Sequence, residues 1–138
     1  MKRKHLVILG MLSAGIGAVL LRVFDPAIAG IFPPCPLHYL TGLFCPGCGS
    51  LRAMHQLLHG NLPAAWAMNP LSVLLFPFLT YGLASEILIT WRGVGLPQKF
   101  LPASWIWSLC IVIVLFGVVR NLSVHPFDLL APGAMLRP

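Results

Sequence analysis

The sequence predicts an all-α integral membrane protein with three transmembrane helices, and an irregular Cys/Pro/Gly loop with short interfacial helices between the first and second. Three observations predict it. The 138 residues are 58% hydrophobic and only 9% charged, whereas a soluble domain carries about 25% charged and about 45–50% apolar residues. The mean hydropathy of +0.89 is more apolar character than a core of this size can hide, so lipid must solvate much of it. Three apolar runs each come close to the roughly 20 residues that cross about 30 Å of hydrocarbon, and a stretch rich in proline, glycine and cysteine separates the first two. No repeat, low-complexity run or linker divides the chain, so residues 1–138 form a single membrane domain, with a motif segment over 33–69.

The first span is predicted at about His5 to Phe24, behind Lys2, Arg3 and Lys4 and with Arg22 near its end. The same basic start, apolar run and Ala27-Ile28-Ala29 triplet also resemble a secretory signal with a small-residue cleavage site. The length of the run, and Arg22, Asp25 and Pro26 before the triplet, count against cleavage. The second span is predicted at about Pro70 to Trp91, with Asn69 as N-cap and Pro70 at the first helical position. The third, about Ala103 to Val119, is the shortest, with Trp105, Trp107 and Arg120 as interfacial anchors. The positive-inside bias puts the N-terminus and the Arg92–Lys99 loop in the cytoplasm. The segment from Asp25 to Asn69 and the tail from Asn121 then face outward, against the weaker pull of Arg22, Arg52, Arg120 and Arg137 on that side.

Within the outer segment, Pro26, Gly30, Pro33, Pro34 and Pro36 argue for extended or turning backbone. Thr41-Gly42 and Pro46-Gly47 are turn signals. Ser50 is expected to cap a helix from about Leu51 to His59 that ends at Gly60-Asn61. Pro63 opens a further short piece through Met68. The stripe Arg52, His55, His59 suits helices lying in the membrane interface. The formal charge of +6 comes from nine scattered Lys and Arg against three acids. With no basic face, nucleic acid is not an expected partner; the bilayer is, together with a membrane-protein partner or a second copy of the chain.

Cys35, His38, Cys45 and Cys48 carry the densest chemistry: Cys-x2-His, six residues, then Cys-x2-Cys. Two residues between ligands let one tight turn aim both side chains at an ion, and two such turns fill a tetrahedral site. Zinc is the default for three thiolates and an imidazole, and copper(I) also takes sulfur; His55 or His59 offers an alternative fourth ligand. The same atoms support a redox reading through Cys45 and Cys48, with Cys35 as a third thiol, because a cysteine before a helix N-terminus is eased into its thiolate. A structural disulfide from Cys35 to Cys45 or Cys48 is the plain alternative, and leaves an odd thiol. Cys110 lies inside the third span and reads as a small apolar residue. Arg52 with Gly49 and Ser50 could hold a phosphate or lipid head group at a helix start; equally, Arg52 snorkels. Glu86, the one acid within a span, lies near enough to Trp91 to reach the interface and pair with Arg92. No residue is assigned a catalytic role.

The stretch Cys35-Pro36, Thr41-Gly42, Cys45-Pro46-Gly47-Cys48-Gly49, Arg52-Ala53 and Asn69-Pro70-Leu71 closely resembles the domain-of-unknown-function 2752 (DUF2752) family of small bacterial membrane proteins. Leu51 departs from that pattern, which has threonine before the arginine. The resemblance implies a multi-pass protein of the bacterial plasma (inner) membrane and brings no accepted activity. The residues themselves point to a non-enzymatic metal-binding module that fixes the loop for a partner. A membrane thiol–disulfide carrier, and a lipid- or protein-docking module with structural cysteines, are the alternatives.

Overall fold

The computed structural model describes residues 2–28, 30, 32–97 and 103–134. Ala29 of the small-residue triplet, Lys99 of the expected inner loop and Arg137 of the tail lie outside them. The described residues form six α-helices: α1 Lys2–Val23, α2 Pro36–Thr41, α3 Ser50–Leu58, α4 Leu62–Met68, α5 Pro70–Arg92 and α6 Ala103–Val119, with a 3₁₀ turn at Phe127–Leu130. Among the described residues there is no strand.

Among the described residues two helices, not three, are long and apolar enough to cross a membrane: Lys4–Val23 and Pro70–Arg92. At 17 residues α6 rises about 25 Å, short of the roughly 30 Å of a hydrocarbon core. Its side chains are nonetheless apolar and turned outward, with Ile111, Val114, Leu115 and Val118 all exposed. The outer surfaces of α1 and α5 are equally apolar, with Leu6, Leu9, Leu12, Phe78 and Leu79 exposed, a surface that water solvates poorly.

The helix ends follow local chemistry. Asn69 accepts a hydrogen bond from the Ser72 N–H at 3.1 Å and Pro70 follows it, so α5 starts where the Asn-Pro pair predicts. Gly93 ends it in the left-handed conformation. Asn61 caps α4 by accepting from Ala64 N–H. Two expectations change. Pro36 reads in the sequence as favouring extended or turning backbone, but proline also suits the first helical turn, and it opens the short α2, which Gly42 closes with its N–H on the His38 carbonyl. Gly49, not Ser50, precedes α3 as its N-cap, because the Ser50 hydroxyl is drawn away to Ser72, 2.5 Å distant.

The interior is built from small side chains. Ala53, Ala64, Ala65 and Ala67 are buried where α3, α4 and α5 meet, letting the backbones approach closely. The end of α1 is tied to α3 twice: His55 Nδ1–H donates to the Leu21 carbonyl at 2.5 Å, and Arg22 donates to the Leu58 carbonyl. The tail closes over α4 through Gly133 N–H on the Ala67 carbonyl, 3.0 Å. A helix packed this closely has no room for a larger residue. Ala65, fully buried, is expected to cost about 1–3 kcal/mol when replaced by leucine. Thermal unfolding in detergent should show a lowered Tm for Ala65→Leu and no comparable loss for Leu79→Ala on the exposed face of α5.

Candidate metal centre

The Cys-Pro-Gly-Cys turn closes on itself with Cys48 N–H donating to the Cys45 carbonyl and Ser50 N–H to the Gly47 carbonyl, both 3.0 Å. Gly49 leaves the turn at φ +86°, and a Cβ there would lie 2.5 Å from the Met68 carbonyl oxygen. Only glycine meets both demands.

Three side chains brace the turn. Asn69 is completely buried, and its amide N–H₂ serves the Pro46 carbonyl at 2.9 Å, the Cys48 carbonyl at 3.1 Å and the Ser50 hydroxyl at 3.2 Å. From the opposite side, Arg120 Nη1 donates to the carbonyls of Cys45 at 3.0 Å and Pro46 at 3.3 Å. Asn121 pairs with both backbone groups of Phe44, accepting its N–H at 2.7 Å and donating to its carbonyl at 2.8 Å. Gly117 of α6 packs so tightly on Pro46 that a Cβ would come within 2.8 Å of its ring. The expected role of Arg120 as an interfacial anchor is therefore corrected. It is 1% exposed, its guanidinium lies against the rings of Phe116 and Phe44, and its Nε and Nη2 have no hydrogen-bond partner.

These braces gather sulfur. The Sγ atoms of Cys35, Cys45 and Cys48 all lie within 4.8 Å of one another, with Cys35–Cys45 at 3.4 Å and Cys45–Cys48 at 3.2 Å. Thiolates bound to zinc at about 2.3 Å sit about 3.8 Å apart in a tetrahedron, whereas a disulfide needs about 2.05 Å. With the third separation up to 4.8 Å, three thiolates reach a ligand triangle by shifts of up to about 1 Å, and a Cys45–Cys48 or Cys35–Cys45 disulfide forms by closing more than about 1 Å. The donor set fits a thiophilic metal ion.

The fourth predicted ligand lies apart from this group. α2 turns His38 back on its own end, where Nδ1–H donates to the Gly42 carbonyl at 3.1 Å and the ring stacks on Phe44 at 4.5 Å. His55 and His59 lie ring to ring at 4.4 Å, tilted by 41°, and His55 is engaged by α1. Cys110 is exposed on α6. Of the possible anion site, Arg52 is exposed, while Gly49 and Ser50 are taken up in bracing the turn. Arg120 and Asn121 escape sequence reasoning, since an arginine ending an apolar run looks like any membrane anchor.

The three thiols do not ionise alike. Cys35 sits just before α2, and the backbone N–H of His38 at the open end of that helix, followed by the Cys45 and Cys48 thiols, lowers its pKa from 9.0 to about 7. Burial, and then the hydrogen bonds of Cys45 and Cys35, push the Cys48 thiol up to about 12.

Residues 35–83 match the model of the family described as "Protein of unknown function (DUF2752)". No curated protein and no solved structure matches the chain. The matched stretch holds all three thiols and Asn69 and ends before Arg120.

Two outcomes follow. A lowered thiol pKa means thiolate above it and inert thiol below. In metal-free protein, alkylation of Cys35 by iodoacetamide should therefore climb through pH about 7, with Cys48 untouched over the same range; peptide mass spectrometry reads both, and earlier labelling of Cys48 would contradict the assignment. Asn69→Asp keeps a good N-cap but turns the donating amide into an oxygen facing two carbonyls. It should destabilise the fold by about 2–4 kcal/mol, more than Asn69→Ser, in chemical denaturation.

Proposed function

We propose that this chain is a multi-pass membrane protein whose Cys35, Cys45 and Cys48 thiolates bind a soft metal ion, zinc in the first instance and copper(I) in the second. The bound ion fixes the outer loop as a docking module for a membrane-protein partner or a second copy of the chain. The observation that carries this is the convergence of three sulfurs from two chain segments, held at near-ligand spacing by Asn69 and Arg120. A loop that needed its cysteines only for bulk has no use for three thiols facing one point. With three protein ligands the ion keeps a fourth position, which His38 can fill only by leaving Gly42.

Three crossings are part of the proposal, with the N-terminus cytoplasmic, the thiol loop outside, and the bacterial plasma membrane as location. The path of the chain supports this. The C-terminal end of α1, the N-terminal end of α5 and the C-terminal end of α6 all meet the loop, through Leu21, Asn69 and Arg120. The three apolar helices therefore run alternately toward and away from one face, as successive passes must.

A thiol–disulfide carrier is the second reading, and one observation favours it: Cys45 touches both other thiols, so it can pair with either. Cys35, the most readily ionised, would attack first.

One experiment separates them. Full-length protein purified in detergent without chelator or reductant should carry close to one equivalent of metal by elemental analysis, with three thiols masked until the metal is removed, and Cys45→Ser should carry almost none. Metal-free protein with a Cys45–Cys48 or Cys35–Cys45 bond that opens at a biological potential establishes the carrier instead.

A further inference from the structure

We propose that Arg120 is the internal counter-charge of the thiol centre, so that the site is built for a divalent thiophilic cation, bound as a tris-thiolate whose single net negative charge the guanidinium cancels. The inference rests on the metal reading above. A guanidinium stays protonated in a protein, and at 1% exposure burying that charge is costly unless it is paired. Yet the usual partner is missing. The chain's three acids are engaged elsewhere: Asp25 accepts from Ala27 N–H at 2.8 Å, Asp128 faces His125 at 3.4 Å, and Glu86, exposed on α5, has a contact of its own. The groups whose charge acts on Arg120 are the thiols of Cys48 and Cys45, and no carboxylate is among them.

The hydrogen bonds point the same way. Nη1 alone binds the turn, through the carbonyls of Cys45 and Pro46. Nε and Nη2 are buried with no partner, although a brace would need only the Nη1 contacts, and a neutral donor would have made them at less cost. The excess is a full positive charge beside three sulfurs. Binding a divalent ion displaces the protons still held by the three thiols and leaves a complex of charge −1, which with Arg120 sums to zero. A monovalent ion in the same three thiolates leaves −2, which one arginine only half cancels. The arginine comes from beyond the stretch that matches the family, directly after the end of α6, so a distant part of the chain completes the centre.

The test measures the affinities of zinc(II) and copper(I), each added as the metal alone against a chromophoric chelator, for full-length protein in detergent. Arg120→Met removes the charge and keeps an unbranched stem that accepts burial; Arg120→Gln is the second neutral variant should the first not fold, and Arg120→Lys keeps the charge. The neutral variant should lose zinc affinity on the order of 10- to 100-fold, as one unit charge at several ångströms implies. It should lose copper(I) affinity by a further factor of about ten or more, because the more negative complex loses more. Arg120→Lys should hold the wild-type ratio of the two affinities. Equal losses for both ions make Arg120 a mechanical brace and overturn the inference, as does a neutral variant that binds like wild type. Wild-type protein that binds neither ion defeats the metal reading itself, a different result from either.

Discussion

One side-chain amide holds this structure together. Asn69 ends one helix-turn and begins the longest helix, and it is the only residue whose two amide atoms are both spent on that junction. Its oxygen takes the Ser72 N–H that would otherwise hang free at the start of α5, and its nitrogen serves the Pro46 and Cys48 carbonyls in the buried turn. A serine or aspartate could do the first job and a lysine the second; only a planar amide does both from one place. The thiol turn is therefore positioned by the end of a rigid 23-residue helix rather than by its own flexibility. Loosening one loosens the other, since two buried carbonyls would lose their donors together.

The helices were legible because their signals are local. The apolar runs, the Asn-Pro start at 69–70 and the turn glycines act on neighbouring residues, and the structure puts α4 and α5 where those signals put them. Local reasoning misjudged α2 by weighing Pro36 as a breaker when the same ring fits a first helical turn. It misjudged Ser50 because the competing partner, Ser72, is remote in sequence. The site divides along the same line. The spacing of Cys45 and Cys48 showed that they could share a centre, and Cys35 joins them. His38 obeys the same spacing, yet the helix it belongs to supplies a nearer carbonyl and a ring to stack on. Arg120 could not be found this way at all, since its acceptor lies 75 residues earlier and nothing around position 120 marks it as buried.

The three thiols also constrain each other. With Cys35 eased into its thiolate and Cys48 held well against ionising, the cluster parts with its first proton readily and its last with difficulty. Like charges at such spacing resist a second ionisation. A metal ion would reverse this by replacing protons with a charge that all three sulfurs share. A disulfide removes two sulfurs from the competition and leaves the third without a partner.

The end of α6 is fixed in the same place. A helix that ended in a free arginine would let that side chain snorkel and would extend its reach toward the water. Here the last apolar turn is folded under the thiol loop: Gly117 meets Pro46, Phe116 lies over the guanidinium, and Asn121 is paired with Phe44. Those contacts bury the guanidinium of Arg120 beside the thiol turn. Burial makes an unpaired charge expensive and a matched pair of opposite charges strong, which is what sets a cation beside a cluster of thiols at this site.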